Sequence, residues 1–182
     1  MIQVYIASTT FADFNDEPLD FIKSKSFEIF RNELGRKLIE EEIIDSLQNC
    51  EGVIAGTERY SEMVLSALPN LAVISRLGIG LDNIDMVTSK EKGIKVFSTE
   101  TSPAPAVAEL TLGLILDLLR EISLHNSKMK MGTWQKNMGS LLSGKTLGII
   151  GLGTIGKKLV EITKGFKLNY LAFDKLEDKD FS

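Results

Sequence analysis

The sequence predicts an α/β protein built on parallel sheets. Three observations carry that reading. Short apolar runs alternate with amphipathic stretches over the first hundred residues, a Pro-rich break follows, and a glycine-rich turn beyond it joins one apolar run to a helix pattern. The runs at residues 2–6, 27–30, 53–55, 71–75 and 94–97 are mostly β-branched or aromatic and bounded by Gly, Asn, Ser or Thr, so they read as strands. Between them, residues 17–24, 40–47, 61–67 and 86–92 read as helices. The second of these shows the period most clearly. Ile39, Ile43, Ile44 and Leu47 fall on one face, while Glu40, Glu41, Glu42 and Asp45 face water and place acid at the positive end of the helix dipole. Strands and helices in alternation imply a doubly wound parallel sheet of flavodoxin-like type for residues 1–100.

Thr101-Ser102-Pro103-Ala104-Pro105 marks a domain boundary, with residues 101–182 forming a second unit. Residues 106–122 follow as a helix that is apolar nearly all round, expected to be buried between domains or subunits. Its charged residues and its length of seventeen exclude a membrane span. Residues 123–144 read as helix tail and loop, with Trp134 anchoring that loop against the core.

Composition narrows the function classes. Lys and Arg total 21 against 25 for Asp and Glu, a net charge of −4, which provides no basic face for nucleic acid or an anionic membrane. One cysteine, Cys50, excludes an intrachain disulfide and a multi-cysteine zinc site, and one histidine, His125, excludes any site needing two. The longest uncharged run, residues 63–75, is too short to span a bilayer, and the N-terminus enters a strand pattern without a signal-peptide core. A soluble, reducing, cytoplasmic setting is the expectation.

The most informative segment runs from residue 146 to 174. An apolar strand at residues 146–150 leads into Gly151-Leu152-Gly153-Thr154-Ile155-Gly156. A helix follows at 157–164, then Gly165, a second strand at 168–173, and Asp174. In a turn of this kind the first glycine permits the tight bend and the second lets backbone approach a pyrophosphate. The third lets the helix pack against the strand, while free amides and the helix dipole attract the phosphates. An acid about 20 residues on accepts from the adenosine ribose hydroxyls and repels a 2′-phosphate, which favours NAD over NADP. Asp174 lies 23 residues after Gly151. The blander reading is that these glycines serve a tight βα turn in a sheet that binds nothing. With strand, helix, second strand and terminal acid all present, the segment reads as the first half of a Rossmann dinucleotide-binding domain.

A second glycine turn, Arg76-Leu77-Gly78-Ile79-Gly80-Leu81-Asp82-Asn83-Ile84-Asp85, follows the strand at 71–75. Ligands of open parallel sheets sit beyond the carboxyl ends of strands, and Gly78 and Gly80 are placed to expose amides in a nest for a carboxylate. Equally, the segment is a turn in which Asp82 and Asn83 cap the next helix. Arg76 is a candidate cation for a substrate carboxylate or phosphate, or else a salt-bridging surface arginine.

The segments ISRLGIGLDNID, SPAPAVAELTLGLILDLLREI and LSGKTLGIIGLGTIG, with Trp134 and Asp174, occur in the same order in the D-2-hydroxyacid dehydrogenases. The chain resembles that family over nearly its whole length. It is most similar to the D-3-phosphoglycerate dehydrogenase branch, which also has counterparts of Ala55-Gly56-Thr57-Glu58. The resemblance implies an NAD-dependent oxidoreductase of a 2-hydroxy or 2-keto acid, of the serine-biosynthesis kind, with a glyoxylate or hydroxypyruvate reductase as the alternative. It makes residues 1–100 the substrate-binding domain, with Arg76, Gly78, Ile79 and Gly80 at the substrate. It places Gly151, Gly153, Thr154, Ile155, Gly156 and Asp174 at the cofactor, and a homodimer on the helix at 106–122.

The family's catalytic arginine and its carboxylate–histidine pair have no matching position in these residues, so no catalytic residue is assigned. The expectation is a truncated chain, inactive alone. Its abrupt end at residues 178–182 and an uncovered edge at the strand 168–173 support that expectation. A short nucleotide- or carboxylate-binding pseudoenzyme with a regulatory role, and a dimerisation module, stay open beside it. His125 reads as an interface or surface residue and Cys50 as structural. Glu109 reads as a buried carboxylate near the cleft or one satisfied by Thr111 or Ser102, and Glu40, Glu41 and Glu42 as a solvated helix start.

Overall fold

The apolar runs of the first hundred residues become five strands in the computed structural model, which describes residues 1–176 and 181. They are β1 (Gln3–Ile6), β2 (Glu28–Arg31), β3 (Gly52–Ala55), β4 (Val73–Arg76) and β5 (Lys95–Ser98). All pair in parallel, in the order β2-β1-β3-β4-β5. The connecting helices are α1 (Glu17–Lys23), α2 (Glu40–Leu47), α3 (Glu62–Ala67) and α4 (Met86–Glu91). This is the flavodoxin-like order, in which the sheet grows outward in both directions from β1 and opens a crevice at its carboxyl edge. Tyr5, Val53, Ala55 and Ile74 pack with Ile43 and Leu47 of α2 and Val64 and Leu65 of α3, all nearly or fully buried. Each such aliphatic residue contributes about 1.5–3 kcal/mol on burial. These residues make one compact unit, Met1–Thr101.

The second unit, Ser102–Ser182, contains α5 (Ala104–Arg120), α6 (Ile122–Lys130), β6 (Thr146–Ile150), α7 (Thr154–Thr163), a 3-10 turn (Lys164–Phe166) and β7 (Asn169–Phe173). β6 and β7 pair in parallel, with Ile150 beside Phe173. Ala104 and Ala108 of α5 are buried, as are Leu159, Val160 and Thr163 of α7, the helix on which α5 packs.

Several sequence expectations need correction here. The helix foreseen at 106–122 starts two residues earlier, because Pro105 fits a first turn that needs no amide donor. It ends at Arg120, where Glu121 turns left-handed (φ 54°) before α6 begins. Its apolar face is not buried within the chain: Leu110, Leu114 and Leu118 are 64%, 61% and 81% exposed. Glu109 is exposed rather than a buried carboxylate, and Trp134, 81% exposed, anchors nothing to a core. The helix expected from Lys157 begins a turn sooner, at Thr154. The chain end at 178–182, apart from Phe181, lies outside the described residues. Among the described residues no helix is long and apolar enough to cross a membrane, and no cluster of His, Cys, Asp and Glu suits a metal.

Candidate functional site

The three glycines of the turn after β6 are not equivalent. Gly151 has φ +95°, a left-handed value that side chains rarely adopt, so the bend itself requires glycine. A Cβ on Gly156 would stand 2.5 Å from the Gly151 carbonyl oxygen, so close packing of α7 on the turn requires the third. Gly153 differs. Its backbone is ordinary extended chain (φ −76°), and a Cβ there would meet no atom of the described residues within 4 Å. Among the described residues, neither backbone strain nor packing demands glycine at that point.

Gly153 is the N-cap of α7, and its side chain offers no acceptor to the helix. The amides of Thr154, Ile155 and Gly156 have no protein acceptor among the described residues, as is usual for the first turn of a helix. With the dipole of α7 behind them, they form an electropositive pole at the head of the helix. The Gly151 amide donates to the Phe173 carbonyl at 2.7 Å, and the Leu152 amide donates to Asp174 Oδ2 at 2.6 Å. Asp174 thus fastens the turn from the end of β7. Its Oδ1 accepts from the Leu176 amide at 3.1 Å, and these backbone donors, Leu176 before Leu152, hold its carboxyl below the usual carboxylate range. The side chain is exposed, and each oxygen keeps a lone pair for an external hydroxyl. Lys157, on the first turn of α7, adds a favourable charge.

The turn after β4 occupies the carboxyl edge of the other unit. Gly78 has φ +140°, and a Cβ there would run into the Arg76 guanidinium. Its amide is already engaged, donating to Thr99 Oγ1 and to the Arg76 carbonyl, each at 3.0 Å, while its own carbonyl accepts from Thr99 N at 3.1 Å. The nest expected from Gly78 and Gly80 is therefore offered by the next two amides: those of Ile79 and Gly80 have no protein acceptor among the described residues. Arg76 Nη1 donates to the Leu77 carbonyl, and its buried Nε has no partner among the described residues.

Helix α4 is not capped by Asp82 or Asn83. The cap is Asp85, whose carboxylate accepts from Thr88 N at 2.9 Å. Asn83 instead reaches across to the turn after β3, donating to the carbonyls of Glu58 at 2.6 Å and Gly56 at 3.3 Å. There Glu58, 2% exposed, accepts from the Gly56 amide at 2.7 Å. Tyr60 is fully buried with a hydroxyl that has no partner among the described residues. Sequence reasoning missed this pair. The signal was an acid standing directly behind a buried apolar strand, in Ala55-Gly56-Thr57-Glu58.

The remaining candidates offer no chemistry. Burial, and after it Glu51 and Glu28, pushes the Cys50 thiol up, so it is no ready nucleophile. His125 lies on α6, outside both glycine turns. Glu42 is not merely solvated: it pairs with Arg36 at 2.6 Å and accepts from Ile39 N.

The sequence matches the family profile for the D-isomer specific 2-hydroxyacid dehydrogenase, catalytic domain, over residues 6–172. It is 37% identical over 150 residues to D-3-phosphoglycerate dehydrogenase of Homo sapiens, covering 81% of this chain and 28% of that protein. It is 42% identical over 124 residues to hydroxypyruvate reductase of Thermotoga maritima, covering 67% of this chain and 40% of that one. The chain therefore spans well under half the length of the curated relatives it matches. Among solved structures, the apo form of D-lactate dehydrogenase from Escherichia coli superposes with a TM-score of 0.78 at 26% identity, over 98% of this chain and 57% of that one. An NAD-dependent formate dehydrogenase from Staphylococcus aureus, solved in complex with NAD, gives a TM-score of 0.78 at 21% identity, over 98% of this chain and 58% of that one, which speaks to fold alone.

Proposed function

The chain belongs to the D-isomer-specific 2-hydroxyacid dehydrogenases, and from that premise we propose that its second unit holds NAD and its first holds the carboxylate of a 2-hydroxy or 2-keto acid. The relatives it matches favour a substrate of the 3-phosphoglycerate or hydroxypyruvate kind.

One observation carries the cofactor half of this reading. Gly153 is a glycine at which a Cβ would meet no atom of the described residues within 4 Å, set at the head of a helix whose first amides lack acceptors among those residues. A diphosphate seated there takes donors from Thr154, Ile155 and Gly156, and the missing Cβ of Gly153 admits it. Asp174 accepts from the two adenosine ribose hydroxyls and, as a carboxylate kept ionised by its backbone donors, repels a phosphate on the 2′ position. NAD, when bound, supplies the hydride acceptor. In the first unit, the amides of Ile79 and Gly80 grip the substrate carboxylate with Arg76 beside them. This chain's residues bind and orient, and no catalytic acid or base is assigned among them.

The exposed row Leu110, Leu114 and Leu118 on α5 supports self-association as a second element of the proposal, since that much contiguous apolar surface on a helix favours cover by another chain. The cofactor half is tested by fluorescence titration of the chain with NADH. Binding is expected, and Asp174→Ala is expected to weaken it roughly ten- to a hundredfold, as removal of a charged acceptor of two hydrogen bonds should. An unchanged dissociation constant would remove Asp174 from the site.

A further inference from the structure

We infer that Asn83 is a positioning residue for the amides of Ile79 and Gly80, holding their turn in its binding shape before a ligand arrives. This deepens the reading that those amides grip the substrate carboxylate, and rests on it. Two amides grip one carboxylate only when both N–H groups point at it together, and a misplacement of about 1 Å spoils such a site. The local sequence does not secure that arrangement. Gly78 and Gly80 are the residue type that loses most conformational freedom on ordering, and residues 77–85 lie in neither strand nor helix. The order has to come from bonds to the rest of the unit.

One anchor stands upstream. The Leu77 amide donates to the Ala55 carbonyl at 2.8 Å, continuing the pairing of β3 with β4 by one residue. Thr99, just past β5, then brackets Gly78: its hydroxyl accepts the Gly78 amide at 3.0 Å and its own amide donates to the Gly78 carbonyl at 3.1 Å. Up to Gly78 the chain is fixed to the sheet.

The second anchor is Asn83. Beyond the ends of β3 and β4 the chain is tied back by an isolated parallel bridge between Tyr60 and Ile84, both buried. In it the Tyr60 amide donates to the Asn83 carbonyl at 2.7 Å and the Asp85 amide donates to the Tyr60 carbonyl at 2.8 Å. Gly56 and Glu58 are buried too, and their carbonyls have no backbone donor among the described residues. Buried carbonyls need one. The Asn83 side chain supplies it, donating to the Glu58 carbonyl at 2.6 Å and the Gly56 carbonyl at 3.3 Å. A carboxamide has two N–H bonds, and both go to the turn after β3. Residues 79–82 therefore hang between Gly78 and Asn83, each end bound to a different neighbour of β4. A carboxylate arriving there meets amides already ordered, and binding is spared the entropy of fixing them.

Nitrogen-15 relaxation of the unliganded chain reads the ordering directly. Ile79 and Gly80 are expected to show backbone order parameters like those of β4, about 0.85; values below about 0.6 that rise only on binding overturn the inference. Titration with D-glycerate, a 2-hydroxy acid, is expected to shift both amide resonances. Asn83→Asp keeps the outline of the side chain and the backbone bridge, yet its ionised carboxylate donates nothing. It is expected to loosen Ile79 and Gly80 while Gly78 stays ordered on Thr99, and to weaken D-glycerate about tenfold. Asn83→Ala, which adds no charge, is expected to do the same and so to trace the loss to the missing donors. A folded Asn83→Ala chain with both amides as ordered, and D-glycerate bound as tightly, as in the unsubstituted chain overturns the role of Asn83 and leaves the carboxylate site standing. No shift with D-glycerate in the unsubstituted chain overturns the carboxylate site, and the inference with it.

Discussion

Replacing Gly156 by alanine puts the packing of the turn after β6 to a quantitative test. The new Cβ would lie 2.5 Å from the Gly151 carbonyl oxygen and 3.4 Å from Ile149 Cγ2, where ordinary contact begins at about 3.4 Å. The deficit of about 0.9 Å falls on backbone, and that backbone is pinned: the Gly151 amide bonds to the Phe173 carbonyl and the next amide bonds to Asp174. Forcing extra volume into such a site costs about 1–3 kcal/mol. Alanine in a helix recovers about 0.5–1 kcal/mol over glycine, so with the clash on backbone Gly156→Ala should lose up to about 2.5 kcal/mol. Gly113, in the middle of α5, is the control, because a Cβ there meets nothing within 4 Å. Gly113→Ala should gain the full propensity term, about 0.5–1 kcal/mol. Urea denaturation followed by far-ultraviolet circular dichroism, with equal m-values, reads both. Finding the two variants equally stable would refute the argument that steric contact sets the third glycine.

Three other perturbations are informative. Tyr60→Phe deletes a fully buried hydroxyl that has no partner among the described residues; stability should hold or rise by about 1 kcal/mol, and a loss of that size would reveal a hydrogen bond unaccounted for. Glu42, held down to about 2 by its hydrogen bonds with Arg36 and the Ile39 amide, should contribute stability that is present above pH 4.5 and lost as pH falls toward 2. Glu42→Gln should flatten the acid limb of a stability–pH curve over that window, and an unaltered limb would count against the pair. Leu114→Glu should shift sedimentation toward the monomer if α5 mediates self-association; identical sedimentation of both proteins would dismiss the leucine row as an interface.

Much of the sheet was legible because parallel strands are covered on both faces and so appear as unbroken apolar runs. All five strands of the first unit lie within two residues of the runs that suggested them, as Glu28–Arg31 does against 27–30. Caps and breaks were harder. Pro103 and Pro105 looked like a linker, yet Pro105 enters the first turn of α5. Nothing in the local pattern announced the left-handed Glu121 that separates α5 from α6. Position 151–156 revealed the turn itself, but which glycine answers to strain, which to packing and which to open space depends on atoms brought together from β6, α7 and β7. Likewise, Thr99 occupies the Gly78 amide from 21 residues away, a partnership that spacing alone does not disclose.

The bond from Leu152 to Asp174 has a consequence for how such a protein is allowed to change. The side chain proposed to discriminate between the two dinucleotides is also a fastener for the loop proposed to receive them. A mutation that swaps this acid for a small or basic residue, the obvious route to accepting a 2′-phosphate, unties Leu152 in the same step. Altered coenzyme preference therefore calls for a compensating substitution that re-secures the loop, and lineages or engineers that make the first change alone should pass through a weakly binding intermediate.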